Sequence, residues 1–187
     1  MAKWRKDELR LKQGHGWKAK PGYQIFVADR GLVRFDVPRG WVLEMEGNTC
    51  KFRDRQPPDD NCILQATIMR LPPDIASYRI PLAPMLRESL ADVHQDALAT
   101  GDVVHITRPD LELAWTEHRL MDPGEHREAY SRSCLARGAG VQVFITLDYW
   151  PEDARRLAPA WDELLRSLRL GEYIEDRTLG PRRPAGA

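Results

Sequence analysis

From Val141 to Tyr149, apolar side chains fall on alternate residues. Val141, Val143, Ile145, Leu147 and Tyr149 point one way, and Gln142, Thr146 and Asp148 point the other. A period of two sets successive side chains on opposite faces, so this run is an amphipathic strand with one face on a core. One strand cannot bury that face alone, and the chain supplies neighbours in clusters. Gln24–Ala28 and Leu32–Val37 flank the turn signal Asp29-Arg30-Gly31. Trp41–Glu46 and Thr49–Arg53 flank Gly47-Asn48, and the loop Pro57-Pro58-Asp59-Asp60-Asn61 leads into Cys62–Leu71. Later come Val103–Thr107, Leu111–Met121 and His126–Arg137, with Asp122-Pro123-Gly124 between the last two.

Two helices break the series. Leu86, Leu90, Val93 and Ala97 lie on one stripe and predict a helix over Ile80–Thr100, with Gly101 as its stop. Pro151-Glu152-Asp153 opens a second, whose stripe is Leu157, Trp161, Leu164, Leu165 and Leu168. Pro159 should kink or split it, and Gly171 ends it. Strands that cluster, rather than alternate with helices, predict an α+β fold with an antiparallel β-sheet flanked by helices.

Charge divides the chain into three. Lys+Arg and Asp+Glu number 28 each, for a net charge of zero. Residues 1–20 nevertheless carry +5, residues 177–187 carry +3, and the stretch between them carries −8. Five of the six lysines precede residue 21. The expected organisation is a basic arm over residues 1–22, one α+β domain over 23–171, and a basic tail over 172–187. Neutrality overall disfavours a chain that wraps nucleic acid through bulk charge. With 42% hydrophobic residues, it also excludes a charged disordered chain.

The start has no apolar run of signal-peptide length, and the longest uncharged stretches, 61–69 and 138–147, are about half a membrane span. The expectation is a soluble chain in a bacterial-type cytoplasm with no membrane contact. Cys50, Cys62 and Cys134 are an odd set. Cys50 and Cys62 flank a loop and allow a disulfide, but free buried thiols fit a reducing compartment better.

Several residues carry more than the pattern. Val33-Arg34-Phe35-Asp36-Val37-Pro38-Arg39-Gly40-Trp41 is a strand ending in Pro-x-Gly-Trp, followed by the aromatic strand around Phe52 and the apolar Ile63–Met69. Near the end, Val141–Leu147 runs into Tyr149-Trp150-Pro151-Glu152-Asp153, and the last helix closes on Ser167-Leu168-Arg169-Leu170. In order and spacing, residues 30–171 resemble the PsbP-like superfamily, which includes PsbP, DcrB-type and LpqN-type proteins and type VI effector-associated chaperones. The resemblance implies a PsbP-like α/β/α sandwich. It also implies a binding or assembly role, since that group is mostly non-enzymatic. The arm has no counterpart there.

Catalytic and metal-binding constellations are weak. His105, His118 and His126 lie in neighbouring strand candidates near Glu117, Glu125 and Glu128, yet no HxH, HxxxH or HxxE spacing supports a metal site. Nothing marks Cys134 as an activated nucleophile. Gly138-Ala139-Gly140 precedes a strand rather than a helix, so it is a hairpin turn and not a dinucleotide loop. Asp59-Asp60-Asn61 lacks the alternating ligands of a calcium loop. Trp41 is expected as a core anchor. No cofactor and no catalytic residue is expected.

The arm is the distinctive feature. Trp4, Trp17 and Tyr23 are interleaved with Lys3, Arg5, Lys6, Lys18 and Lys20. Aromatics among cations can stack bases, dock on an acidic protein, or fold back on the chain's own acidic body or a second copy's in a homodimer. Trp4, Trp17, Lys18, Lys20 and Tyr23 are therefore candidate partner-binding residues. The expected function is a non-enzymatic protein-binding or assembly module, a chaperone or adaptor. The alternatives are a small-ligand or metal-binding protein with a pocket between helix and sheet, and nucleic-acid contact through the arm.

Overall fold

The computed structural model describes residues 9–72, 80–91 and 96–181. The alternating runs fold as strands: β1 Tyr23–Ala28, β2 Val33–Pro38, β3 Val42–Glu46, β4 Thr49–Arg53 and β5 Cys62–Arg70. Helix α1 is Leu82–Ala91. Then come β6 Ala99–Thr100, β7 Val104–Thr107, β8 Glu112–Asp122, β9 Arg127–Gly138 and β10 Val141–Tyr149. Helix α2, Ala154–Ser167, and a two-residue strand β11, Arg169–Leu170, complete the set.

Eight strands form one antiparallel sheet in the order β3-β4-β5-β10-β9-β8, with β6 and β7 both pairing along the far side of β8. The period-two pattern of β10 decides its faces. Val141, Val143, Ile145, Leu147 and Tyr149 are buried against α2 and the small sheet. Across the register the same face holds Leu64 and Ala66 of β5 and Cys134 and Ala136 of β9. Helix α2 lies on this face through Leu157, Trp161, Leu164 and Leu165. Helix α1 lies on the other face, setting Leu82, Leu86 and Leu90 against Ala114 and Leu135, with Phe144 beside them. The large sheet between two helices is an α/β/α sandwich within the α+β class.

A three-stranded sheet, β1-β2-β11, closes the α2 side. Its β2 buries Val33, Phe35 and Val37. Phe26, Phe35 and Phe52 stitch it to the large sheet, with ring centroids 5.0 to 5.8 Å apart. Edge-to-face rings add about 0.5–1.5 kcal/mol per pair beyond their buried area. Trp41, half-buried, packs against the same core. All three cysteines are free and buried.

Two boundaries differ from the expectation. The first helix ends by Ala91 rather than Thr100; Val93 lies outside the described residues. Ala99 and Thr100 instead pair with Arg119 and His118, and the Gly101 N–H donates to the Glu117 carbonyl at 2.8 Å. The open edge of β8 thus captures a backbone that side-chain periodicity alone assigns to a helix. The second helix is not split at Pro159. Proline removes the hydrogen bond to the carbonyl four residues earlier, on Arg155. Both residues are exposed, so water can solvate that carbonyl.

The last turn of α2 is held from outside. Arg108 donates through Nη1 to the carbonyls of Leu165 (3.0 Å) and Arg166 (3.1 Å), and through Nη2 to that of Leu168 (2.5 Å). Terminal helix carbonyls lack internal partners, and a cation there also opposes the negative end of the dipole.

Candidate functional site

On the α2 face, at the end of the sheet beyond Trp161, a group of aromatic rings forms around Arg132. Its guanidinium lies 5.8 Å from the Trp115 ring and 5.6 Å from the Tyr149 ring. Register places Arg132 directly opposite both Glu117 and Leu147. Arg132 Nε donates to Glu117 Oε2 at 2.6 Å, and the Tyr149 hydroxyl donates to the same oxygen at 2.7 Å. Burial works to raise the Glu117 carboxyl, but the two donors and the Arg132 charge outweigh it and hold it below its ordinary value. Tyr149 moves up, chiefly through burial and then through donating to Glu117. Tyr130 stacks at a tilt on Tyr149, 5.6 Å between centroids. Alternation turns Arg127 and Trp150 to the opposite face of the sheet, where the guanidinium lies 4.1 Å from the Trp150 ring and also reaches Glu152. Trp115 and Tyr130 are half-buried. The patch is preformed and faces solvent.

The other face carries polar rows beyond the footprint of α1. Thr116, Ser133, Thr146 and Gln65 are successive cross-strand partners, as are His118, Ser131 and Asp148. Ser131 donates to Asp148 at 2.6 Å, and Thr100 Oγ1 lies 3.1 Å from His118 Nδ1. Thr116 donates to the Gly101 carbonyl at 2.9 Å. Between α1 and this face opens a cleft of about 310 Å³, lined by Arg87, Leu90, Thr100, Asp102, Thr116 and His118 among others. A serine, a histidine and an aspartate are near one another, but the serine gives its proton to the aspartate and the histidine turns to Thr100. That order is not a nucleophile–base–carboxylate relay.

Burial in the sheet pushes the Asp148 carboxyl above its ordinary value, against the opposing bonds from Ser131 and Gln65. An acid raised on folding contributes stability below its unfolded value and loses it as pH rises through the raised folded value. Asp148→Asn has no such titration. Across that window, the stability difference between variant and parent should move in the variant's favour as pH rises. Urea denaturation at a series of pH values checks this, and a difference independent of pH contradicts it.

The structure does not bring the three strand histidines together. His118 is buried on β8, His105 is exposed on β7 with Nε2 3.7 Å from Glu112, and His126 sits in the β8–β9 turn. Among the described residues no group of three His, Cys, Asp or Glu side chains could hold a metal ion. Cys134 is fully buried, and desolvation pushes its thiol up, which disfavours the thiolate.

Trp4 lies outside the described residues. Trp17 donates through its indole to the Arg177 carbonyl at 2.9 Å, packs on Gly180 and lies 6.0 Å from the Arg34 guanidinium. Lys18 is exposed. Lys20 lies 5.4 Å from the Tyr23 ring and 3.9 Å from Glu163, and the Tyr23 hydroxyl donates to the Pro159 carbonyl. The Lys20 backbone N–H bonds the buried Asp36, whose carboxyl is raised by burial and by the nearby Glu163. Lys12 pairs with Asp176 at 2.8 Å. The Lys12 and Gly16 N–H groups bond the Thr178 and Leu179 carbonyls. Arm and tail are thus laced together, and the cations at 12 and 20 stand on carboxylates of this chain's own tail and body.

The Arg132 group escapes reading from sequence because register, not spacing, assembles it. Tyr149, at the end of the clearest strand, is the one signal that points to it.

Comparison with known proteins agrees with this geometry. A protein from Nostoc sp. (strain PCC 7120), described as uncharacterised protein alr1449, is 41% identical over 178 residues, covering 95% of this chain and 92% of its own. Among solved structures, the cyanobacterial PsbP (CyanoP) of Synechocystis sp. PCC 6803 superposes with a TM-score of 0.59 at 14% identity, over 83% of this chain and 96% of that one. LpqN of Mycobacterium tuberculosis, described as involved in cell envelope biogenesis, gives 0.52 at 12% identity, over 79% and 89%. These two likenesses establish a PsbP-like fold. The Alr1449 family model matches residues 24–174, and the chain belongs to that family.

Proposed function

We propose that the chain is a non-enzymatic protein-binding module, an adaptor or chaperone of a bacterial-type cytoplasm, whose contact surface is the patch around Arg132, Tyr130 and Trp115. The observation that carries this reading is the preformed group of half-buried rings around Arg132 on the α2 face. Tyr, Trp and Arg are the side chains that dominate binding energy at protein interfaces. Here they are held rigid before any partner arrives, which lowers the ordering cost of association. Three free cysteines support the reducing compartment. No helix of the described residues is long and apolar enough to cross a membrane. The engagement of Lys12 and Lys20 by Asp176 and Glu163 favours a protein partner over nucleic acid, since it removes cations from the arm's footprint.

The test is affinity capture with the full chain, followed by titration of whatever is recovered against the parent and Tyr130→Ala. Removing an interface hot spot costs about 2 kcal/mol, or about thirtyfold in affinity. Equal affinity for both proteins, with the variant folded by circular dichroism, contradicts the assignment.

A second reading rests on the cleft beside α1. Its volume of about 310 Å³ falls at the lower end for small-molecule sites, and its wall mixes Leu90 with Thr100, Thr116 and His118. Native mass spectrometry of the purified chain distinguishes the two readings: a small bound mass that disappears in Thr116→Leu favours the cleft.

A further inference from the structure

Strand β7 is the outer strand at one end of the large sheet. It pairs with β8 on its inner side, and among the described residues no strand covers its outer side. All four residues, Val104-His105-Ile106-Thr107, are exposed. Register with Trp115 and Leu113 sets Val104 and Ile106 on the α2 face, where they stay 40% and 37% exposed; His105 is on the other face beside Glu112. Proteins commonly guard such edges with lysine, proline or a bulge, because unpaired backbone groups template another strand. None of these interrupts β7. The strand is instead bracketed by opposite charges, Asp102 before it and Arg108 after it.

We propose that β7 pairs antiparallel with β7 of a second copy of this chain, about a two-fold axis through His105. The register follows from three requirements. Directly opposed residues must share a sheet face, so a shift by one residue would set Val104 against His105 or Thr107. Centring on Val104 or on Ile106 opposes an apolar side chain with a charge: Asp102 would face Ile106, or Arg108 would face Val104. Centring on His105 sets Val104 against Ile106 of the second copy, twice over, and brings Asp102 opposite Arg108, whose Nη atoms stay on the α2 carbonyls while its positive charge faces the acid. Apolar then meets apolar, and each acid meets a base. Arg108 and Arg169 share Asp110, at 3.5 and 3.6 Å, so this end carries one net positive charge. Four residues a side bury less than a standard interface, so the dimer is reversible and concentration-dependent.

Sedimentation equilibrium of the full chain, from micromolar to hundreds of micromolar, should show the average mass rising from monomer toward dimer. The double variant Val104→Lys, Ile106→Lys stays monomeric over the same range; both sites are exposed, and circular dichroism checks its fold. The register is tested by oxidation. His105→Cys places two thiols directly opposite one another and gives a covalent dimer. Val104→Cys places them about 8 Å apart between Cα atoms, beyond disulfide reach, and gives none. The native cysteines are buried and do not compete. A chain that is monomeric throughout, a dimer indifferent to the two lysines, or equal cross-linking at 104 and 105 overturns the proposal.

Discussion

Trp161→Ala should lower the unfolding free energy by about 3–5 kcal/mol, the range for removing a buried aromatic from a packed core. Trp161 is 1% exposed and one of the largest fully buried side chains among the described residues. It sits one turn after Leu157 on the apolar stripe of α2, where it fills the space above β10. Its ring meets Trp115 edge-on at 5.8 Å and 68°, so it also backs the patch that carries Arg132. Its deletion leaves a cavity that neither the sheet nor the small sheet can close, because both are pinned by their ladders. The indole N–H has no hydrogen-bond partner. Trp161→Phe therefore removes bulk but also an unsatisfied donor, and should cost less than half as much. Chemical denaturation of the three proteins measures both losses. If Trp161→Ala costs under about 1 kcal/mol, the stripe is not the anchor of the core. If Trp161→Phe is as damaging as alanine, the argument from volume fails. The alanine variant should also weaken partner capture through Trp115, an effect that a role confined to stability would not give at temperatures where the protein remains folded.

Much of this architecture was legible because it is local. A period of two is visible in one strand, so β10 could be oriented from Val141, Val143, Ile145, Leu147 and Tyr149 alone. Turn chemistry at Asp29-Arg30-Gly31 and Gly138-Ala139-Gly140 placed the hairpins, and strand clustering gave the class. What stayed hidden depends on partners far along the chain. Leu86 and Leu90 do share a stripe, as expected, but the helix could not be ended from its own residues. The decision lies in the free edge of β8, which takes Ala99 and Thr100 into the sheet. Likewise β11 is two residues long and exists only because β2 offers Arg34 and Val33 as partners.

The sites divide in the same way. Basic residues in the arm announce that it must meet carboxylates, and Lys12 on Asp176 and Lys20 near Glu163 answer that. Their charge is used within the chain, a use that composition cannot distinguish from a partner's. The Arg132 patch lay out of reach for another reason. Glu117, Arg132 and Tyr149 are 15 and 17 residues apart, on three strands. Only the register Glu117↔Arg132 and its neighbour Arg132↔Leu147 bring the group to one place. Moving that register by one residue would send Arg132 to the other face. The metal hypothesis failed on the same ground: His105 and His118 share one face of the sheet but stand at different depths along β8, and His126 is in the β8–β9 turn.

Gly31→Ala should cost about 3 kcal/mol or more and release both chain ends together. Gly31 has φ of +97°, a conformation that favours glycine, and a β-carbon there would overlap the Glu172 carbonyl oxygen. The tail crosses at this point in backbone contact, with the Gly171 N–H on the Leu32 carbonyl and the Ile174 N–H on the Arg30 carbonyl, both at 2.9 Å. Ile174 is 1% exposed beneath it. Alanine must push the segment from 171 to 174 outward, breaking those two bonds and lifting Ile174 from its pocket. The arm is tied to the same tail through Asp176, Arg177, Thr178 and Leu179, so it should detach as well. Gly22→Ala separates strain from collision: its φ is +85°, yet nothing lies within 4 Å of the added carbon. That variant should cost only about 1–2 kcal/mol of backbone strain and leave the tail docked. Two measurements suffice. Denaturation gives the difference between the variants, and limited trypsin digestion reports the arm, since Lys12 and Lys18 become cleavable when it detaches. Faster cleavage in Gly31→Ala but not in Gly22→Ala is the expected result; equal protection in all three proteins would mean that the arm does not depend on the tail.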